Sequence, residues 1–338
     1  MGLGSIGLRH LAISRSLFPG NQIKSIGARV FDKWVKQENR IRSEFDKEIS
    51  DFTPDIVAIC SPSPRHISIA QFFVEGGANL FIEKPISSDR LNIVELIEKC
   101  SSNNRLLMVG YNLRYLKSLQ EFRRHINEGL IGSPLSVRCE VGQYLPNWRQ
   151  VEDFRESVTA RSDLGGGVLL ELSHEIDYLR WIFGEVDWVR ATLLRQSELE
   201  IDVEDTAHLT IGFETTTAGR QLIANLNLDF IRHDATRSCT VIGDMGSIRW
   251  DGILGEVSLF QAGRKTWETL FANDNGIEET YALEWQELIS AIDEKRSPAV
   301  TGEDGLRVVE IIEAARLSSK SGIQTAVIRS PIKSEASR

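Results

Sequence analysis

Three glycines at the start of the chain constrain its fold more than any other feature. Gly2, Gly4 and Gly7 form the pattern G-x-G-x-x-G within MGLGSIGLRH, and the apolar stretch LRHLAISRSLF follows it with helical spacing. Glycines at this spacing permit a tight turn and let backbone N–H groups approach a pyrophosphate at a helix N-terminus. The pattern predicts a phosphate-binding turn made by Gly2, Gly4, Ser5, Ile6 and Gly7, although a flexible N-terminal tail could have the same composition.

The strand that normally precedes such a turn is missing from the sequence, because only Met1 stands before Gly2. We expect a miscalled start codon or a shortened chain to explain this difference. If the protein begins at Met1, we expect a destabilised nucleotide domain with weak cofactor binding.

Short apolar runs alternate with helical patterns over the first third of the chain. Strand candidates and helical patterns follow one another at 22–30, 55–63, 67–77, 79–85, 87–104 and 105–112. Strands that alternate with helices predict a parallel sheet with helices on both faces. We therefore predict an α/β protein in which residues 1–112 form a Rossmann domain that lacks its first strand.

The pattern changes after residue 113, where strands with two-residue alternation follow one another. Apolar side chains share one face of PLSVRCEVGQY and of TAHLTIGFE, and no helix intervenes between the later strands. Helical patterns at 168–183, 281–294 and 303–321 are expected to cover the inner face of the sheet. We predict that residues 113–330 form an α/β domain with an open, mostly antiparallel sheet.

One face of this second sheet is expected to remain open. Large apolar sheet faces rarely stay in water, so we expect the open face to form a homodimer or homotetramer. Trp250 and Phe260 are predicted to lie on it.

Composition excludes several classes of partner. A net charge of −9 over 338 residues argues against nucleic acid and anionic membrane surfaces. No apolar run approaches the roughly 18–20 residues of a membrane span, and no signal peptide is visible. The scattered cysteines favour free thiols in a reducing cytoplasm over disulfides or a metal site, so we predict no metal; they are Cys60, Cys100, Cys139 and Cys239.

Two charged side chains follow predicted strands of the first domain. Lys84 in IEKP comes directly after a buried strand, at the sheet edge where α/β proteins bind ligands, and its ammonium group can hydrogen-bond a substrate hydroxyl. A Lys-Pro step is also common in plain loops. Arg29 stands where an acid for the ribose hydroxyl is expected, which favours NADP over NAD; a solvated surface arginine is the alternative.

A helical pattern with acidic residues and a histidine runs through GGGVLLELSHEIDYLRWIFG. Glu171, His174 and Asp177 recur every three residues and would share one face of a continuous helix. A carboxylate beside an imidazole suits proton transfer, because it can orient the ring. A helix start with acidic residues near its dipole and one half-buried histidine is the structural alternative.

The segment between these features is rich in aromatic and arginine side chains. Tyr144, Trp148 and Arg161 lie within residues 142–167 and suit sugar rings and anionic groups. A surface loop that docks on a second subunit would have a similar composition.

The ordered set of motifs resembles the Gfo/Idh/MocA family, named after glucose–fructose oxidoreductase and inositol dehydrogenase. The resemblance runs over nearly the whole chain; the motifs that carry it include GLGSIGLRH, IEKP, VGYNLRY, GGGVLLELSHEID and TGEDGLRVVEIIEAA. It implies an oxidoreductase that uses NAD or NADP and transfers a hydride to or from a carbinol carbon of a sugar or cyclitol. A branch associated with bacterial surface sugars has similar GQYLPNWR and HEID segments.

The resemblance also assigns roles to individual residues. It implies that Lys84 and His174 are catalytic, while Glu171 stands near the family's aspartate but at a spacing one residue shorter. The turn at Ser61, Pro62 and His66 is implied to lie beside the nicotinamide. The remaining implied contacts are Glu83 near the nicotinamide ribose, and Asn112, Arg114 and Asp177 near the substrate.

Two other functions fit the same motifs. An NAD-dependent glycosidase, which oxidises and re-reduces its sugar without net redox, occurs on this fold. A non-catalytic dinucleotide-fold protein is the third reading, suggested by the missing strand.

Overall fold

The chain divides near Tyr111 into two units of different architecture. A computed structural model describes residues 2–27, 52–148, 153–215, 219–273 and 276–332. The first unit contains Met1–Tyr111, Tyr281–Leu306 and Ser330–Arg338, and the second contains Asn112–Thr280 and Arg307–Arg329. The first division lies next to the predicted boundary at 112, but residues 281–306 return to the first unit.

The first unit is built around parallel strands. Its described sheet has the order β1 (Ile56–Ile59), β2 (Asn79–Glu83) and β3 (Leu107–Gly110), with Ile59 paired with Ile82 and Glu83 with Gly110. Every residue of β2 and β3 is buried, as expected for a parallel sheet covered on both faces. The helices of the first third are α1 (Ser5–Leu17), α2 (His66–Glu75) and α3 (Ile93–Ser102).

The strand predicted over 22–30 is not formed in its described part. Residues 22–27 have no strand assignment, and residues 28–30 lie outside the described residues. Ile26 accepts a hydrogen bond from Gly2 N at 2.9 Å, a single loop contact in place of a ladder. Because a strand needs a neighbouring strand to pair its backbone groups, the apolar run alone was an insufficient predictor.

The second unit contains a nine-stranded sheet among its described residues. Its order is β11-β10-β9-β8-β4-β7-β6-β5-β12, and all neighbours are antiparallel except β4 and β7. The sheet is therefore mixed but mostly antiparallel, which confirms the predicted class. The strands are β4 (Pro134–Gly142), β5 (Val186–Leu194), β6 (Thr206–Phe213), β7 (Ile223–Asp229), β8 (Thr236–Gly243), β9 (Gly246–Asp251), β10 (Glu256–Gln261), β11 (Glu268–Ala272) and β12 (Thr325–Ala326).

The remaining helices differ from the predicted ones in two respects. The segment 168–183 forms two helices rather than one, and most of the 281–294 helix packs in the first unit, where Trp285 stacks on Phe81 at 5.8 Å. The helices are α4 (Lys117–Asn127), α5 (Val168–Glu171), α6 (His174–Phe183), α7 (Ile277–Glu294) and α8 (Gly302–Ser321).

The prediction that Trp250 lies on the open face of the sheet is wrong. Trp250 is 0% exposed and donates its indole N–H to Ser118 Oγ of α4 at 3.0 Å. Alternation along β9 puts Trp250 on the same face as buried Ile248, and the helices cover that face. Phe260, next to buried Leu259 on β10, is half-buried and lies 5.7 Å from the Trp267 ring.

Over the described residues, no helix combines the length and the apolar character that crossing a membrane requires.

Candidate active site

The glycines of the N-terminal turn have different surroundings. A Cβ on Gly2, whose φ is +90°, would lie 2.5 Å from the Cys60 carbonyl oxygen, and a Cβ on Gly7 would lie 2.1 Å from the Gly2 carbonyl oxygen. Around Gly4, by contrast, no described heavy atom lies within 4 Å of a built Cβ. Gly2 and Gly7 are therefore required by packing, whereas Gly4 leaves open space above the turn.

The start of α1 is free to bind an anion. Gly4 is its N-cap and offers no side-chain cap, and the first turn contains no acidic residue. The first N–H groups of a helix have no intrahelical acceptor and carry a partial positive charge. Gly4 and Ser5 are exposed and Ile6 is half-buried. These residues fit a dinucleotide pyrophosphate, while Arg29, predicted to select NADP, lies outside the described residues.

The turn after β1 lies beside the glycine turn. Its Ser61 hydroxyl oxygen is buried, and no described residue hydrogen-bonds to it, so a bound ligand would supply its partner. His66 is 1% exposed, with Nε2 2.6 Å from Ser61 O and Nδ1 3.0 Å from Pro85 O. Burial lowers the pKa of His66, which favours the neutral ring. The neutral ring has one N–H, so it donates to one of these two carbonyl oxygens while it packs between the loops that follow β1 and β2.

Lys84 stands at the carboxyl end of β2, as predicted, and is half-buried. The preceding Glu83 is 7% exposed and both of its oxygens are engaged: Oε1 lies 2.6 Å from His10 Nε2, and Oε2 accepts the Lys84 backbone N–H at 3.1 Å. The structure therefore places the Glu83 carboxylate inside the unit, and the ribose contact that the family resemblance implies for Glu83 stays a prediction.

In the second unit, Glu171 and His174 lie on opposite sides of a helix break. Glu171 ends α5, His174 begins α6, and Leu172 between them has φ −99° and ψ 28°. The expectation of one continuous helical face for Glu171, His174 and Asp177 is therefore wrong, since helical spacing does not pass through this break. Glu171 and His174 are both half-buried.

Arg114 and Asp177, both predicted to contact substrate, are brought together in the second unit as a buried ion pair. Arg114 donates from Nε at 2.9 Å and from Nη2 at 2.6 Å, and the side chains are 6% and 1% exposed. Asn112 donates to Thr280 Oγ1 at 2.7 Å and is also buried. The ion pair connects the segment that enters the second unit with the helix that begins at His174, and the Asn112 contact connects it with the start of α7.

The three loop residues predicted to bind substrate are half-buried and have separate contacts. The Tyr144 ring lies 4.2 Å from the His233 ring, and Trp148 donates its indole N–H to Gln143 O at 3.1 Å. Arg161 pairs with Asp163 at 3.0 Å. The structure does not bring Arg161 to either aromatic ring in any contact among the described residues.

Sequence reasoning missed the buried groups around Glu83. His10 and Trp285 are 275 positions apart and hydrogen-bonded at 3.0 Å, and Glu284 is fully buried beside them. The available signals were a histidine on the apolar face of α1 and an acid within a helix of aromatic residues. Among the described residues, no group of three His, Cys, Asp or Glu side chains is arranged to hold a metal.

The glycine turn, the parallel sheet and the lysine at its carboxyl edge define a dinucleotide-binding α/β protein. Residues 1–111 match "Oxidoreductase family, NAD-binding Rossmann fold" and residues 123–327 match "Oxidoreductase family, C-terminal alpha/beta domain". The chain belongs to the Gfo/Idh/MocA family and is an NAD(P)-dependent oxidoreductase, which confirms the predicted family and enzyme class.

Individual relatives cover most of the chain. The uncharacterized oxidoreductase YrbE of Bacillus subtilis (strain 168) is 26% identical, over 97% of this chain and 95% of that protein. Inositol 2-dehydrogenase of Rhizobium meliloti (strain 1021) is 26% identical over 77% of each chain. The crystal structure of an inositol dehydrogenase homolog from Azotobacter vinelandii, complexed with NADH and myo-inositol, has a TM-score of 0.73 at 16% identity, covering 96% of this chain and 94% of that chain. The structural likeness shows the fold.

Proposed function

We propose that the protein transfers a hydride between a nicotinamide dinucleotide and a carbinol carbon of a sugar, sugar derivative or cyclitol. The observation that carries the proposal lies within the first unit. Gly4 leaves open space at the start of α1, next to the turn that packs on the loop after β1, and Lys84 directly follows the adjacent strand β2 at the same sheet edge. The relatives named inositol 2-dehydrogenase support the substrate class.

In the first unit, two turns are assigned to dinucleotide binding and Lys84 to the substrate oxygen. Backbone N–H groups at Gly4, Ser5 and Ile6 would bind the pyrophosphate, and the turn at Ser61 and Pro62 would hold the nicotinamide end of the dinucleotide. The dinucleotide, when bound, accepts or returns a hydride. Lys84 binds the substrate oxygen through its ammonium group and stabilises the charge that develops there.

The second unit supplies proton transfer and substrate contacts. In oxidation, the proton of the substrate hydroxyl goes to His174 while the C–H bond breaks and its electron pair leaves with the hydride. Glu171 orients His174, and Tyr144, Trp148 and Arg161 bind the sugar. The buried pair of Arg114 and Asp177 positions α6 and therefore His174, while Asn112 is held by Thr280 at the start of α7.

Turnover with purified protein tests this function. Cyclitols, free sugars and nucleotide-linked sugars are supplied with NAD or NADP, and absorbance of the reduced nicotinamide is followed. We expect net reduction, lost by about 100-fold or more in Lys84→Met and retained in Lys117→Met, which alters an exposed lysine. Activity with nucleotide-linked sugars would support a narrower role in bacterial surface-sugar metabolism.

Two results would replace the proposal with the other readings. Release of an aglycone without net change in the nicotinamide would favour the NAD-dependent glycosidase. Absence of heat on titration with either dinucleotide would favour a non-catalytic protein.

The oligomeric state and the cellular location of the protein are also proposed. We propose a cytoplasmic homodimer or homotetramer that associates through the sheet face bearing Phe260. The half-buried Phe260 ring and the exposed Trp267 ring support this surface, and the four free, buried cysteines support a reducing compartment. Sedimentation of wild type and Phe260→Ser would measure the association.

A further inference from the structure

His10 is buried within the first unit, and both of its ring nitrogens have partners. The side chain is 2% exposed; Nε2 lies 2.6 Å from Glu83 Oε1, and Nδ1 lies 3.0 Å from Trp285 Nε1. The second Glu83 oxygen accepts the Lys84 backbone N–H at 3.1 Å. A continuous series of hydrogen bonds therefore runs from the Trp285 indole to the backbone of Lys84.

The Trp285 indole determines where the His10 proton lies. An indole N–H is only a donor, so Nδ1 of His10 accepts and carries no proton. The proton of the ring is then on Nε2, from which it is donated to the Glu83 carboxylate. A distance of 2.6 Å is that of a charge-assisted bond. In the opposite tautomer, a proton on His10 Nδ1 would face the Trp285 indole N–H. The hydrogen bonds therefore all run from Trp285 through His10 to Glu83.

Aromatic rings enclose His10 and limit its rotation. The ring centroid of Phe81 lies 5.0 Å from that of His10, and Tyr281 meets the imidazole edge-on at 5.8 Å. Trp285 itself stacks on Phe81 with an interplanar angle of 13°. Close packing of this kind holds a side chain in one rotamer, so Nε2 meets Glu83 in a fixed orientation.

A second carboxyl group in this interior, that of Glu284, has a raised pKa. Glu284 is 0% exposed, and neither of its oxygens has a hydrogen-bond partner among the described residues. Burial, followed by the charge of Glu83, raises the pKa of Glu284 well above its usual range. The His10 ring N–H and the Lys84 amide are both directed at Glu83, and the Trp285 indole N–H is directed at His10.

We propose that His10 and Trp285 are positioning residues, which fix the Glu83 carboxylate and through it the backbone of Lys84. The inference rests on the proposed function, in which Lys84 binds the substrate oxygen, and extends it to residues that do not touch substrate. With a donor on each oxygen, the Glu83 carboxylate cannot rotate without losing a charge-assisted bond. The Lys84 backbone is therefore held in the orientation that directs its ammonium group toward the substrate oxygen in the proposed function.

Hydrogen exchange of the Lys84 amide tests the positioning directly. His10→Leu removes both ring contacts, Trp285→Phe removes only the indole N–H, and His10→Gln restores an N–H donor for Glu83 and a carbonyl acceptor for Trp285. We expect exchange about tenfold faster or more in His10→Leu, a smaller increase in Trp285→Phe, and near-wild-type exchange in His10→Gln. His125→Gln, a substitution on α4 in the second unit, is the matched control.

Measurements of kcat, dinucleotide Kd and the isotope effect on kcat distinguish a loss of Lys84 positioning from a smaller fraction of folded protein. We expect kcat to fall by up to about 100-fold in His10→Leu, with the dinucleotide Kd changed less than about threefold. The isotope effect on kcat with substrate deuterated at the reacting carbon should rise, because hydride transfer becomes slower. A smaller folded fraction alone would lower kcat without changing the isotope effect. If His10→Leu does not fold, Trp285→Phe carries the same comparisons.

Two results overturn the inference without any need for turnover. One is unchanged Lys84 exchange in both His10→Leu and Trp285→Phe. The other is a proton on Nδ1 of His10 in two-bond ¹H–¹⁵N spectra of the wild type. If exchange changes as expected but no substrate is oxidised, the positioning stands and the proposed function fails.

Discussion

The unequal surroundings of Gly4 and Gly7 predict that the same substitution has opposite consequences at the two positions. Gly4→Ala places its methyl group in open space, at φ −71° and ψ −174°, which alanine adopts readily. The reduced freedom of the unfolded chain adds up to about 1 kcal/mol of stability, and alanine at an N-cap costs a similar amount. We expect a free energy of unfolding within about 0.5 kcal/mol of wild type.

The cost of Gly4→Ala appears instead in dinucleotide binding. In the proposed binding mode, its methyl group would occupy the space through which a pyrophosphate reaches the first N–H groups of α1. A charge-assisted hydrogen bond contributes about 1.5–3 kcal/mol, so losing one weakens affinity by about 10- to 100-fold. Titration calorimetry with NAD and NADP measures this loss.

Gly7→Ala has the reverse effect, because a Cβ there would lie 2.1 Å from the Gly2 carbonyl oxygen. The backbone must shift, and overpacking of this kind costs about 1–3 kcal/mol, visible as a fall of roughly 3–10 °C in melting temperature. Gly76→Ala, at φ −75° and with its nearest contact at 3.4 Å, is the control for both measurements. Unchanged affinity in Gly4→Ala, or unchanged melting in Gly7→Ala, would refute the division of roles between the glycines.

Three further predictions follow from buried groups. Asp177→Ala leaves the Arg114 charge buried without its carboxylate, and we expect denaturant titration to show a loss of about 3–5 kcal/mol, partly recovered by adding Arg114→Met. His66 has a pKa below 6.5 in the folded state, so below about pH 6.5 the unfolded chain binds a proton at this histidine before the folded protein does. The free energy of unfolding should therefore fall as the pH decreases from about 6.5 through the lowered pKa of the folded state. The fall should be less steep in His66→Gln. Burial raises the pKa of Cys60 and Cys100 from 9.0 to about 12, which reduces the thiolate fraction about 1,000-fold; native protein at pH 8 should therefore resist thiol labelling that urea-unfolded protein undergoes.

The local parts of the fold were predictable because they depend on neighbouring residues. The apolar run at 79–85 formed a fully buried strand and the run at 55–63 a partly buried one, and the position of the lysine directly after its strand followed from IEKP. Trp250 shows the limit of this reasoning. Alternation along β9 separates two faces of the sheet, but it does not say which face the helices cover.

The candidate site was less predictable, because its contacts join distant parts of the sequence. His10 meets Glu83 across 73 positions and Trp285 across 275, and no spacing rule connects residues so far apart. The break between α5 and α6 was also hidden, since the apolar periodicity continues through Leu172 while the backbone leaves helical geometry there.

The contacts around β2 explain why the lysine is flanked by residues that do not themselves face solvent. His10 holds Glu83, the residue before Lys84, and His66 lies against the carbonyl oxygen of Pro85, the residue after it. Both neighbours are buried, whereas Lys84 is half-buried. A long lysine side chain loses considerable rotamer entropy when it is ordered, and a backbone fixed on both sides lowers the part of that cost attributable to main-chain motion. The backbone of the IEKP segment is therefore held by a buried histidine on each side of the lysine. Neither histidine could be identified from the IEKP motif itself.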